Sequence, residues 1–485
     1  MRNDNNRGNT PGYNKRQSQG ASADSKVENH TTNAITWWNK STLFDDATRV
    51  PFNRIAGDAV KLDYYAGMHN DSFTFPSIMR INYCPSIGWA QDSNSPVNRA
   101  FTAMYGDMYS KTTGIMQFPQ SELALLVLSM SSILSTIGLV KRALNVSQVY
   151  AGKNYIYPLG LLKAMRVDPD SVIGWQDDLR VQLNQTISNF NALAVPAFID
   201  LFARQYTLAS QVWADGTDVG DQLYVFVPEG YYLYNDVSLE MEFTEFDPNT
   251  LYRDISSYIL AADLMIERWR NTDDLGLVLG SIQRAFPESS FITLARVTPD
   301  EVLAPIYDEV MAVQINNICG VSSLDKSSLK VVQVPNKNIL QCMPKVLESA
   351  PQFVKDYNPR VTFLNNPYNV EMSPDLIMEA TRLVNLQGYK EGEDVYVLNS
   401  GTEIVTGFHI LTASYIWGSP EFNIEELHVP VRFWLPTSLD ASTLKTMVKQ
   451  VSLLSKFKYA PRIEIFQTHA TEAPRLWTVT GDVAV

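Results

Sequence analysis

The stretch SELALLVLSMSSILSTIGLVKR (121–142) carries no charge from Leu123 to Val140, a run of eighteen residues. No other segment constrains the fold as strongly. Its length sits at the lower edge of what spans a bilayer, so it belongs either at the centre of a large core or in a membrane. Ser129, Ser131, Ser132, Ser135, Thr136 and Gly138 favour the core, because small polar residues are tolerated between closely packed helices. No flanking charge asymmetry sets a membrane topology. A central buried helix is therefore expected, with a membrane-active helix as the alternative.

Around this run the sequence marks further helices. DDLRVQLNQTISNFNAL (177–193) places Leu179, Leu183, Ile187, Phe190 and Leu193 at steps of four and three, which makes one apolar stripe. Asp177 and Asp178 occupy its first turn, where the helix dipole favours acids. DISSYILAADLMIERW (254–269) repeats the pattern. In NSPVNRAFTAMYGDMY (94–109), Ser95 is a natural N-cap and Pro96 suits the first helical position. VPAFIDLFARQYTLASQVW (195–213) is expected to start a helix at Pro196. The same helix-opening style recurs at Asp168-Pro169-Asp170, at Thr298-Pro299-Asp300-Glu301, which has the form of a capping box, and at Ser373-Pro374-Asp375, whose helix should stop near Gly388.

Residues 40–93 show short apolar runs and many turn residues and read as extended, irregular chain. From about 394 the texture changes. VYVLN, EIVTGFHILTASYIW and HVPVRFWL are β-branched and aromatic and predict strands. STLKTMVKQVSLLSKF (442–457) predicts a helix between strands, followed by RIEIFQ and RLWTVTGDVAV. The fold class expected is mainly α with an α+β C-terminal part.

Charge is distributed unevenly. The first 23 residues hold Arg2, Arg7, Lys15 and Arg16 against Asp4, a sum of +3, within a net charge of −13, so the other 462 residues sum to −16. Such a body repels nucleic acid over its general surface. Residues 1–35 contain too little apolar surface to offset the entropy of ordering, except for Trp37 and Trp38 just beyond, and are expected to form a disordered basic N-terminal arm. Four cations on one arm bind a polyanion weakly, but many arms converging on one space would bind through multivalency. A second basic group, Lys445, Lys449, Lys456, Lys458 and Arg462, reads as the solvated face of the 442–457 helix, with RNA contact as the alternative.

Catalytic chemistry is hard to place. There is no GxSxG, no HExxH and no dinucleotide fingerprint, and AGKN (151–154) lacks the upstream glycine and the following Ser/Thr of a phosphate loop. The adjacent acids Asp45–Asp46, Asp177–Asp178 and Asp273–Asp274 point apart on a helix and do not make an acid/base dyad. Cys84, Cys319 and Cys342 show no CxxC spacing, and the five histidines show no helical ligand spacing, so neither a disulfide framework nor a metal site is expected. Cys84, before Pro85 and among apolar residues, reads as a buried structural thiol. The N-terminus lacks the apolar stretch of a signal peptide, and a reducing compartment fits the thiols. No catalytic, metal or cofactor-binding residue is assigned.

The segment from about 79 to 235 resembles the capsid proteins of picobirnaviruses, which are segmented double-stranded RNA viruses. The resemblance rests on Pro85-Ser86-Ile87-Gly88, on Asn94-Ser95-Pro96-Val97-Asn98-Arg99-Ala100 and on the apolar helix from Glu122. It continues through Tyr155-Ile156-Tyr157-Pro158-Leu159-Gly160-Leu161-Leu162-Lys163-Ala164-Met165, the Asp168–Ile173 segment, Asp178-Leu179-Arg180, Trp213, Gln222-Leu223-Tyr224-Val225-Phe226-Val227-Pro228 and the Tyr231–Tyr234 cluster. The arm departs from the family, having few cations and many Asn and Gly.

The resemblance implies a helical double-stranded-RNA-virus-type shell domain, a second projecting domain, and an icosahedral particle built from homodimers around viral RNA in the host cytoplasm. It implies a partition into a helical shell core at 36–240, a mixed and projecting region at 241–390 and a strand-rich α+β segment at 391–485. On this reading the chain is not an enzyme, takes no cofactor or small-molecule substrate, binds copies of itself, and touches RNA without sequence preference through Arg2, Arg7, Lys15 and Arg16. A host membrane is a further partner during infection. The alternatives are a carboxylate-based hydrolase and a membrane-active protein using the 121–142 helix.

Overall fold

A computed structural model describes residues 59–60, 72–73, 77–112, 116–148, 156–218, 221–334, 336–350, 364, 371, 373–399, 401–415, 422–435, 441–467 and 475–479. Strands β1 (Ala59–Val60) and β2 (Ser72–Phe73) pair with each other, and β3 (Ile78–Pro85) follows. Then come α1 (Pro96–Lys111), α2 (Gln120–Val146), α3 (Ile156–Ala164), the short α4 (Pro169–Val172), α5 (Gln176–Asn191) and α6 (Asp200–Ser210). Strands β4 (Trp213–Ala214), β5 (Leu223–Pro228), β6 (Gly230–Asn235) and β7 (Glu240–Glu245) precede α7 (Ile255–Arg270), α8 (Asp273–Ala285) and α9 (Glu309–Asn316).

The helix α2 is the uncharged run, extended by a turn at its C-terminal end. It packs against α1, α5, α6 and α7, and its residues from Ser121 to Val140 are buried. It is long and apolar enough to cross a membrane, yet its whole apolar window is buried inside the protein. Three of the hydroxyls that interrupt the run are satisfied within the helix: Ser129 Oγ donates to the Leu126 carbonyl (2.8 Å), Ser135 Oγ and Thr136 Oγ1 to the Ser132 carbonyl (3.0 and 2.8 Å). Ser132 Oγ accepts from the Tyr232 N–H at 2.9 Å, which ties α2 to β6. Gly138 lets α6 approach closely, since a Cβ there would lie 3.1 Å from the Tyr206 carbonyl oxygen.

The remaining strands are β8 (Leu324–Asp325), β9 (Val331–Val334), β10 (Ile339–Gln341), β11 (Lys345–Val346), β12 (Asn385–Glu391), β13 (Asp394–Asn399), β14 (Glu403–Tyr415), β15 (Phe422–Val429), β16 (Arg432–Leu435), β17 (Ile463–Gln467) and β18 (Arg475–Val479). Helices α10 (Pro374–Ala380) and α11 (Ala441–Leu454) lie among them. A five-stranded sheet runs in the order β15-β14-β3-β5-β4, with β3 and β5 parallel. Two four-stranded sheets run β10-β9-β7-β6 and β12-β13-β11-β8, and a three-stranded sheet runs β16-β17-β18.

The five-stranded sheet is covered on both sides, which explains why β3 (IMRINYCP) and β5 (LYVFVP) read as continuous apolar runs rather than as alternating ones. Met79, Ile81 and Tyr83 point to one cluster with Tyr224, Phe226, Phe408, Ile410, Leu454 and Phe457. Ile78, Leu223, Val225, Val227 and Leu411 point to the other face and join the α2 core. Packing crosses residue 240: α7 lies on α2, and β14 enters the sheet beside β3.

Several expectations change on contact with the fold. Residues 78–85 lie inside the tract read as irregular, yet form a fully buried strand near the sheet's centre; their partners β14 and β5 are remote in sequence. Pro196 does not open a helix. Residues 195–197 instead pair with 290–292, through Ala197 N to the Ser290 carbonyl (2.7 Å) and Ile292 N to the Val195 carbonyl (2.9 Å), so α6 starts at Asp200.

Thr298-Pro299-Asp300-Glu301 forms a turn and no helix. The Glu301 carboxylate accepts from Asn145 Nδ2 (3.2 Å) and faces Lys141 Nζ (3.4 Å), both near the end of α2, and the helix opens later, at Asp308, whose side chain accepts from Met311 N. Ser373 caps α10 through Leu376 N (3.2 Å), but α10 ends at Ala380 because Asn385 N pairs with the Cys319 carbonyl and β12 starts there. Ser95 flanks α1 as expected without capping it. Its hydroxyl accepts from Gln91 N and Asp92 N (3.0 and 3.1 Å), locking the preceding turn.

Candidate functional site

The arm cations Arg2, Arg7, Lys15 and Arg16 lie outside the described residues, as do Asp45–Asp46 and AGKN (151–154). The second basic group lies among the described residues. Lys449 Nζ pairs with Glu425 Oε1 at 2.7 Å. Lys458 lays its Nζ over the Tyr459 ring, 5.4 Å from the centroid, while its backbone N–H donates to Asp215. Arg462 is buried. Lys445 is exposed on α11. Lys449 is thus paired and Arg462 withdrawn from the surface, which favours the solvated-face reading over RNA contact.

Candidate nucleophiles and acids are equally occupied. Cys84 is fully buried, its Sγ 3.6 Å from Glu229 Oε2, and burial beside that carboxylate pushes the thiol well up, away from the thiolate form. Burial pushes the Cys342 thiol up to about 12. Asp177 pairs with Arg180 across one helical turn (2.5 Å), and Asp273 opens α8. Among the described residues, no group of three or more His, Cys, Asp or Glu converges as a metal site would require.

The surface carries a different signal. Helices α5 and α7 lie side by side and advance together, with Thr186 Oγ1 donating to Asp263 Oδ1 (2.8 Å) and Arg270 Nη2 to Asn189 Oδ1 (3.1 Å). Their inward stripes are buried as the periodicity requires: Leu179, Leu183, Ile187 and Phe190 on α5, and Ile255, Ile259, Ile266 and Trp269 on α7. Their outward faces are also apolar in places. Val181 is 70% exposed, Leu260 67% and Trp175, before α5, 60%; Leu264 is exposed one turn beyond Leu260. Stripe reading passed over these residues, since it scores the face that matches a core. Their signal in the sequence was apolar residues off the stripe. A second such pair, Leu444 and Val448, stands one turn apart on α11. Large exposed apolar side chains of this kind mark contact surfaces when they cluster.

Buried charge is the other feature that composition could not place. Arg142, just past the uncharged run, is fully buried. Its Nη1 donates to the carbonyls of Leu208 and Gln211 (3.2 and 3.0 Å), at the C-terminal end of α6, and its Nη2 donates to the Phe226 carbonyl (2.8 Å) on β5. It thus supplies donors to helix-end carbonyls that lack intrahelical partners. Burial pushes its guanidinium down to about 9, which leaves it charged at neutral pH. Glu403, fully buried, accepts from Gln205 Nε2 (3.0 Å) and Thr402 Oγ1 (2.5 Å) and lies 3.5 Å from Arg204 Nε. Arg142 and Glu403, fully buried, fasten α2, α6 and the five-stranded sheet together.

Known proteins resemble this chain over most of its length. The family model described as "Picobirnavirus, Capsid protein" matches residues 37–417. A curated "Capsid protein precursor" of Human picobirnavirus (strain Human/Thailand/Hy005102/-) is 24% identical over 423 residues, covering 80% of this chain and 76% of the relative. A solved structure described as "X-ray crystallographic structure of the picobirnavirus capsid" superposes with a TM-score of 0.70 at 17% identity, covering 92% of this chain and 94% of that one.

Proposed function

The chain belongs to the picobirnavirus capsid protein family, and we propose that it assembles through homodimers into an icosahedral shell that encloses the viral RNA. Its role as a viral capsid protein, and its place in the virion, follow from the family; the family's role is structural rather than enzymatic. Dimers, shell, RNA contact and assembly in the host cytoplasm are the further steps proposed here. The observation that carries them is the family match, which runs through β3, the α2 core and into β14.

The outward apolar residues of α5 and α7 support the reading. A shell subunit needs apolar area left over once its own core is filled, and obligate interfaces bury roughly 2,000 Å² or more. Val181, Leu260 and Leu264 offer such area to a second copy. A projecting part drawn from 241–390 belongs to the same proposal. Because α7 lies on α2 and β14 lies beside β3, such a projection would be built directly on core elements.

The arm completes the reading. Arg2, Arg7, Lys15 and Arg16 on each copy would meet the phosphate backbone without sequence preference, and many copies facing one lumen would make a weak contact effective. The test is the expressed full chain under light scattering and electron microscopy. Closed particles of tens of nanometres are expected, and a monomer persisting at every concentration would overturn the proposal. A variant lacking residues 2–30 should assemble with a lower nucleic-acid-to-protein absorbance ratio; an equal ratio removes the arm from the proposal. Leu260→Glu with Leu264→Glu should block assembly while the monomer keeps its fold.

A further inference from the structure

One cluster of ionisable groups has no part in the assembly reading. The ladder of the five-stranded sheet sets His409 of β14 opposite Arg80 of β3 on one side and opposite His428 of β15 on the other. Glu426 lies two residues from His428 on the same face of β15. The four side chains therefore meet on one face at the sheet's edge. Arg80 is 2% exposed, and its Nη2 pairs with Glu426 Oε1. His409 Nε2 lies 3.9 Å from the same Glu426 oxygen, and the two histidine rings stand 4.8 Å apart. Asn82 Nδ2 is 3.3 Å from His409 Nδ1, a bond that the neutral ring accepts when its proton is on Nε2.

The groups packed over this face add positive charge. The Arg166 guanidinium, in the turn after α3, lies close enough to disfavour protonation of His409. The positive charge of Arg253 acts on Arg166, and the Tyr252 hydroxyl donates to Glu426 Oε2 (3.4 Å). From α11, Gln450 Nε2 reaches the His428 carbonyl (2.6 Å). Arg80 takes Glu426 as its counter-ion, while Arg166 donates to the carbonyls of Pro248, Thr250 and Leu251, and the arrangement holds together while both histidines are neutral. Burial, and then the positive charge of Arg80, His428 and Arg166, pushes His409 down to about 2; burial and Arg80 push His428 down as well.

We propose that Arg80, His409, His428 and Glu426 form an acid-sensitive latch, which holds the edge strand β15 on the sheet at neutral pH and releases it when the histidines take up protons. The strand β15 is the right element to release, since among the described residues it pairs with β14 alone. Detaching it exposes both rings to water and restores an ordinary histidine affinity for protons. His428 is the more accessible of the two rings and gives the proton a way in.

The sign follows from linkage. A histidine whose folded pKa is depressed contributes stability that is full above its unfolded value of 6.5 and is lost as pH falls below it. At pH about 5, His409 alone shifts the ratio of closed to open strand roughly thirty-fold toward open. The latch belongs to a single chain, so it can fail while assembly holds, and assembly can fail while the latch holds.

The test is hydrogen exchange followed by mass spectrometry on the full chain at about pH 7.5 and about pH 5, with labelling times adjusted for the pH dependence of intrinsic exchange. Amides of 422–429 should lose roughly thirty-fold or more of their protection in acid, while α2 keeps its own. In His409→Gln with His428→Gln the acid loss should vanish. Unchanged protection of 422–429 in the parent chain, or an equal loss in parent and variant, overturns the latch. If the variant does not fold, NMR titration of the His409 ring in the parent chain decides. A ring that takes its proton only as β15 opens supports the latch, and one that titrates near 6.5 with β15 still protected overturns it.

Discussion

Replacing Leu126 by Asp tests the placement of α2 more sharply than any other single change. Leu126 is fully buried in the main core, on a helix surrounded by α1, α5, α6 and α7. Truncation to Ala already removes a buried isobutyl group and leaves a cavity, at a cost of about 2–5 kcal/mol. Aspartate adds a carboxyl with no cation built to meet it. Left ionised, it is an uncompensated buried charge; protonated, it still leaves polar atoms unpaired at about 1–3 kcal/mol. The sum, roughly 3–8 kcal/mol, rivals the whole stability of an ordinary domain.

Leu126→Ala should therefore stay folded with a lower denaturation midpoint, and Leu126→Asp should lose the soluble fold. Val181→Asp, at an exposed position on α5, serves as the control and should shift stability by less than about 0.5 kcal/mol. Denaturant titration of unassembled protein, followed by tryptophan fluorescence, reads all three. A Leu126→Asp chain that folds with a parental midpoint would refute the buried placement. If that variant also lost the capacity to leak liposomes, the membrane-active reading of 121–142 would be the better one.

Arg142→Ala strands the carbonyls of Leu208, Gln211 and Phe226 and empties a guanidinium-sized space; a loss of about 3–5 kcal/mol is expected from denaturant titration, and a loss under 1 kcal/mol would contradict the capping role. Gly230→Ala drives a Cβ into the Thr244 carbonyl and the Phe243 ring across the β6–β7 hairpin, so a drop of about 1–3 kcal/mol should appear in the thermal midpoint, and a neutral result would show that the hairpin has slack. Asp215 accepts from the Tyr224 hydroxyl (2.5 Å) and from the backbone N–H groups of Lys458 and Tyr459 (2.5 and 3.1 Å), and burial pushes its carboxyl up from 3.8 to about 6. A raised carboxyl favours folding most below its unfolded value and loses that contribution as pH rises through about 6, so Asp215→Asn should remove a downward component from stability between about pH 4 and 6; identical profiles for the two proteins would refute it.

The helices were legible where periodicity and packing agreed. Leu179, Leu183, Ile187 and Phe190 form the inner stripe of α5, and Asp254 caps α7 through Ser256 N. Helix-start chemistry was less dependable. Thr298-Pro299-Asp300-Glu301 offers every local signal, yet the Glu301 carboxylate is engaged by Lys141 and Asn145, so no reciprocal capping bond forms. Pro196 fails as a start for a related reason, since its neighbours are committed to a short ladder with 290–292. Of the candidate site, the exposed leucines of α7 were visible as residues off the stripe, whereas the partners of Lys449 and Arg142 were not visible at all.

By itself the sequence determined that residues 123–140 had to sit in an apolar medium, that α5 and α7 had one face to bury, that three scattered cysteines made no framework, and that the chain resembled a known capsid family. These follow from composition, period and order, which are properties of neighbours along the chain. The tertiary structure alone decided that 78–85 is a central strand, that β14 joins it from more than three hundred residues away, and that Arg80 meets Glu426, His409 and His428 at the sheet's edge. Strand register fixes those meetings, and register is a relation between remote segments that no local pattern encodes.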